Sequence, residues 1–189
     1  MSPELDTADS VRVTGYALSA LPYVQPMRKV TMPQRLSDVP LPDLVAETRE
    51  WNEGRGIDLL SWVGCVGSYE HAIAYGELFW PEFVEFDGCI FFAGFSEESY
   101  RGFMAQTGAN KQAVEAMMSH RHILDFFTQD GPGPTRPQVV YLGRLLKEMW
   151  AAKLRRDFPE RKVVVNFVEE DCSELLDYEV SFHQEHGVK

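Results

Sequence analysis

The sequence predicts an α+β fold, with several helices packed on a small antiparallel sheet made largely of hairpins. Three observations lead there. Segment 83–92 holds two short aromatic and β-branched runs around the turn pair Asp87-Gly88, and the last part of the chain alternates apolar residues with others as strands do. The stretches between and before them carry helical periodicity with identifiable caps. No internal repeat and no regular strand–helix–strand alternation occurs, which disfavours a parallel sheet. The 189 residues make one domain's worth of chain, enough to bury a core without staples. Residues 1–10 are expected to form a disordered arm, and 11–189 a single globular domain.

Taken in order, "MSPELDTADS" holds three acids, no base and no apolar run, and so reads as neither secretory signal nor transit peptide. Pro22, Pro26, Pro33 and Pro40 forbid a long helix, although Val11–Leu18 suits a short strand. Pro42 fits the first turn of a helix running to about Glu53, with Leu44, Val45, Thr48 and Trp51 on one face. From Ile57 to Trp80 the chain is at its most apolar, but Asp58, Glu70, His71 and Glu77 interrupt it, so it does not read as a membrane span. Its glycines predict two helical pieces joined near Gly67–Ser68, the second capped by Ser68 and packed by its small residues.

"FVEFDGCIFF" reads as a hairpin turning at Asp87-Gly88. A helix capped by Ser96 ends at Gly108, and another, capped by Asn110, is expected from Lys111 to Phe127. Gln138–Phe158 reads as a long helix, its apolar stripe running through Val139, Leu142, Leu145, Leu146, Met149 and Trp150. A second hairpin closes the chain: Val163, Val165 and Phe167 alternate, then Leu176, Tyr178, Val180 and Phe182.

Net charge is −11 and unevenly distributed. Between Gly56 and Tyr100 lie Asp58, Glu70, Glu77, Glu82, Glu85, Asp87, Glu97 and Glu98, with no Lys or Arg. From Arg101 to Lys162 bases outnumber acids. Such a balance disfavours binding to nucleic-acid phosphates. It suits an acidic face, with Glu82, Glu85, Asp87, Glu97 and Glu98 as its binding residues, that steers a basic protein partner. Cys65, Cys89 and Cys172 are odd in number and far apart, as in a reduced cytoplasmic protein.

Two groups offer chemistry. His120 and His122 stand in a His-x-His pattern with Asp125 behind them. On the expected helix, residues two apart point about 200° away from each other, so the two rings would not share a metal. His120 would then join the buried stripe of Met117, Leu124 and Phe127. His122 would lie opposite with Ser119 and Asp125, where a neighbouring carboxylate can orient it as a base. The second group is Glu70, His71 and Glu77, with the two carboxylates seven apart on one helix face, suited to acid–base work, to metal ligation, or to nothing more than a solvated stripe on a mostly buried helix. His183 and His186 in "HQEH" suit adventitious metal at most. No P-loop, dinucleotide fingerprint, nucleophile elbow or zinc-ligand spacing is present, and no cofactor or metal is expected. The profile fits a non-enzymatic acidic binding module, of the kind represented by immunity-type inhibitors of a basic enzyme or toxin. The alternative is a small hydrolase-like enzyme using Glu70, His71 and Glu77, joined by His122 and Asp125.

Overall fold

The computed structural model describes residues 40–127, 133–169 and 173–185. All of them fall within one compact unit, Gln34–Lys189. The arm expected at 1–10 and the strand expected at Val11–Leu18 lie outside the described residues. The architecture is α+β: helices around two small antiparallel sheets.

Where the spacing predicts one helix from Pro42 to Glu53, the chain makes a single turn, α1 (Leu41–Leu44), then a 3-10 turn over Ala46–Arg49. The Thr48 hydroxyl donates to the Val45 carbonyl (2.7 Å), and the Ile57 N–H returns to the Thr48 carbonyl (2.9 Å). A side chain that competes for backbone partners in this way shortens a helix. Helices α2 (Leu59–Val66) and α3 (Tyr69–Phe79) follow, joined at Gly67–Ser68 as the glycines predict. Asp58 caps α2 by accepting from the Ser61 N–H (2.9 Å), and Ser68 caps α3 by accepting from the His71 N–H (3.1 Å).

Strands β1 (Phe83–Phe86) and β2 (Cys89–Phe92) pair antiparallel, with Phe86 opposite Cys89. Asp87 (φ 50°) and Gly88 (φ 72°) both take positive φ, the requirement of the type I′ turn whose twist matches a hairpin. Helices α4 (Glu97–Gln106) and α5 (Lys111–Ser119) start on Ser96 and Asn110 caps. Cys89 and Phe91 of the hairpin, Tyr100 of α4 and Val114 of α5 form a small core of their own.

The larger core lies between α6 (Arg136–Asp157) and a second sheet. That sheet has the order β3 (Arg121–His122), β5 (Glu179–Gln184), β4 (Val163–Val168), antiparallel throughout. Alternation buries Val165, Phe167, Val180 and Phe182 against Val139, Leu146, Trp150 and Leu154 of α6. Leu176 departs from the expected alternation: it sits exposed in a 3-10 turn (Leu175–Asp177) before β5 begins. Gly143 is buried where α6 crosses β4, and a Cβ there would collide with the Phe167 ring. The indole N–H of the buried Trp150 donates to the Leu78 carbonyl (2.9 Å), tying α3 to α6.

Candidate functional site

The periodicity predicts a helix through Phe127, but α5 stops at Ser119. A contact distant in sequence accounts for this. The Ser119 hydroxyl donates to the Phe182 carbonyl and accepts from the Phe182 N–H, both at 2.8 Å, so that it occupies the edge of β5 as a strand would. Beyond it the chain is extended, with Arg121 opposite Val180 and His122 opposite Glu179. Residues two apart on a strand share a face. His120 and His122 are therefore neighbours, their ring centroids 4.6 Å apart, and the opposed placement expected from helical geometry is corrected.

Glu179 completes the group. The His120 Nε2 and a Glu179 carboxylate oxygen are 2.6 Å apart, and all three side chains are half-buried. The His122 Nδ1–H donates to the Leu176 carbonyl (2.7 Å), which leaves its Nε2 with a free lone pair. One donor atom from each of His120, His122 and Glu179 lies within 4.8 Å of the others, a two-histidine, one-carboxylate set. Arg121, between the histidines, turns elsewhere: it donates to the carbonyls of Met118 and His120 and lies 5.1 Å over the Phe92 ring. Asp125 is exposed in the 3-10 turn Ile123–Phe126, and no described hydrogen bond joins it to His122. Ser119, expected beside His122, is buried on β5. Glu179 reads in the sequence only as a polar residue on the wet face of the last strand; its register opposite His122 is a tertiary fact.

Glu70, His71 and Glu77 are all exposed on α3, and no hydrogen bond or ion pair among the described residues joins their side chains to one another, to His122 or to Asp125. His71 stacks on Tyr75 instead (6.1 Å). The helix that carries them is not mostly buried, as expected from its composition. No residue of α2 or α3 is buried. Leu60 is 80% exposed, Tyr69 88% and Ile73 76%, with Val63 and Val66 also exposed. Helical spacing aligns Leu60 and Val63 along α2, and Tyr69 and Ile73 along α3 beside Glu70 and Glu77. The apolar surface continues past α2. Leu59 lines a groove of about 800 Å³ with Leu44, Ile123, Phe127 and Leu142, in which Glu47 is the one carboxylate among the described residues. Tyr75 of α3 meets Phe127 edge-on (5.9 Å).

Three of the five acids expected to form a binding face are engaged within the chain: Glu85 with Arg161 (2.5 Å), Asp87 with Lys111 (3.3 Å) and Glu97 with Arg101 (2.8 Å). Asp87 also accepts from the Tyr100 hydroxyl (2.5 Å). That hydrogen bond and the Lys111 ammonium hold its carboxyl below the usual range, while burial and the same bond push the Tyr100 hydroxyl up. Glu82 and Glu98 are exposed, with no ion pair among the described residues. Burial pushes the Cys89 thiol up to about 11, far from a reactive thiolate. Cys172 and His186 lie outside the described residues. No helix among the described residues is long and apolar enough to cross a membrane. Set against family models, curated proteins and solved structures, the chain has no significant match.

Proposed function

We propose that the protein is a non-enzymatic binding module that engages a basic, amphipathic segment of a protein partner through the outer face of α2 and α3. An immunity-type inhibitor of a basic enzyme or toxin is one class with this acidic profile. The observation that supports the reading is that the most apolar helices of the chain bury none of their residues, with Leu60, Tyr69 and Ile73 all more than three-quarters exposed. Contiguous apolar surface rimmed by polar groups marks interaction sites. Charge selects the occupant. Asp58, Glu70 and Glu77 stand on or beside these helices, and the chain has no Lys or Arg from Gly56 to Tyr100. Electrostatic complementarity of this kind raises association rates and rejects acidic competitors. The unpaired thiols of Cys65 and Cys89 suit a reducing cytoplasm. The hydrolase-like alternative has less support, since Glu70, His71 and Glu77 stand exposed on α3 while His122 lies on β3 and Asp125 in the turn after it, with no described hydrogen bond joining the two groups.

The test is a titration with a synthetic amphipathic helix of leucine and lysine, followed by tryptophan fluorescence. Saturable binding, weakened about tenfold or more by the double substitution Tyr69→Ser and Ile73→Ser, supports the proposal. Equal binding of a leucine–aspartate helix, or indifference to the double substitution, contradicts it. Concentration-dependent dimerisation abolished by the same substitutions makes a second copy of the chain the occupant, and also contradicts it.

A further inference from the structure

We propose that His120, His122 and Glu179 form a binding site for one divalent first-row transition metal ion, with Zn²⁺ as the ion of best fit. The sequence alone predicts no metal; the site arises only because α5 ends at Ser119 and the next residues pair with β5. The donor set is two imidazole nitrogens and one carboxylate. Imidazole suits Zn²⁺ and its neighbours in the series, whereas Ca²⁺ and Mg²⁺ demand oxygen ligands. The second shell is already built. The His122 Nδ1–H is held by the Leu176 carbonyl at 2.7 Å, which fixes the tautomer and leaves Nε2 as the nitrogen that can take a metal. His120 Nε2 and a Glu179 carboxylate oxygen already face each other at 2.6 Å, a contact that an ion between them would replace.

Geometry also limits the site. Ligands of a tetrahedral zinc stand about 3.3 Å apart, so when the ion enters, side-chain rotation opens the 2.6 Å His120–Glu179 contact and adjusts donors that all lie within 4.8 Å. The backbone need not move, because register holds His122 opposite Glu179. Three protein ligands leave the ion a position for water or a ligand from a partner, unlike a closed structural site with four. The site lies on the half-buried polar face of the sheet and shares no residue with the docking face of α2 and α3.

The test is calorimetric titration of metal-free, full-length protein with zinc chloride, alongside His122→Gln, Glu179→Gln and His183→Gln. One ion per chain is expected, with affinity lowered about a hundredfold in the first two variants and unchanged in the third. Binding lost in His183→Gln but kept in His122→Gln moves the ion to the His183–His186 segment and overturns the assignment, as does the absence of stoichiometric binding. Since substitution at 122 or 179 can loosen β3, wild-type protein supplies a second reading. Added Co²⁺ displaces the imidazole NMR signals of His120 and His122 together; displacement confined to His71 or His183 refutes the site.

Discussion

Glu115 of α5 accepts hydrogen bonds from the backbone N–H groups of Ile90 in β2 and Gln184 in β5, both at 2.7 Å, and so joins two strands that do not pair with each other. The Gln184 side chain adds a third donor (2.5 Å), and it reaches the Gly88 carbonyl as well (2.9 Å). With Ser119 one turn on, Glu115 lines the edge of β5 as a strand would. The carboxylate is fully buried. Glu115→Ala strands buried donors and should cost about 3 kcal/mol or more. Glu115→Gln keeps one acceptor but turns an amide donor toward another N–H, and should fall between wild type and alanine. Urea unfolding of the three proteins checks the order.

Gly143 lets the Phe167 ring lie against the backbone of α6. An alanine Cβ would overlap that ring, which is itself stacked on Tyr178 (6.1 Å) and has little room to retreat. Gly143→Ala is therefore expected to destabilise by about 1–3 kcal/mol despite alanine's better helix propensity. Gly102, exposed on α4 with open space around its Cα, should gain from the same change. Thermal melts of the two variants should move in opposite directions.

At Gly88 the backbone φ of +72° excludes a β-branched residue at low cost. Gly88→Val should destabilise by about 1 kcal/mol or more, and Gly88→Asn by much less, because asparagine tolerates this region. Equal melting temperatures for the two would count against the turn.

Acid should weaken the fold through its capped and paired aspartates. Asp87 is held low by the Tyr100 hydroxyl and by Lys111, Asp58 by Ser61, and Asp177 by the Glu174 N–H. A folded value below the ordinary 3.8 means that the unfolded chain binds more protons, so stability rises with pH in that window. The contribution is complete above about pH 4 and disappears as pH falls through the lowered values. Asp87→Asn should flatten the dependence of the urea midpoint on pH below 4, leaving its slope near pH 7 unchanged.

Local chemistry was legible in the sequence, and tertiary register was not. Ser68, Ser96 and Asn110 cap helices, and Asp87-Gly88 turns a hairpin, because each acts within four residues of itself. The end of α5 depends on Ser119 meeting Phe182, 63 residues away, and no periodicity within 111–127 records that contact. The expected opposition of His120 and His122 rested on the helix continuing past that contact. The apolar run 57–80 misled differently: composition shows that a helix has an apolar face, but not that another element covers it. Glu115 stood among apolar neighbours without any sign that two backbone donors awaited it.

The docking face is tested most directly by mapping. ¹⁵N-labelled protein is titrated with the leucine–lysine helix, and amide shifts are followed residue by residue. The account predicts saturable shifts concentrated at Leu60, Val63, Tyr69 and Ile73, with Glu70 and Glu77 beside them, and little change at the paired acids Glu85, Asp87 and Glu97. Shifts centred on those paired acids, or spread without focus over the surface, would contradict it.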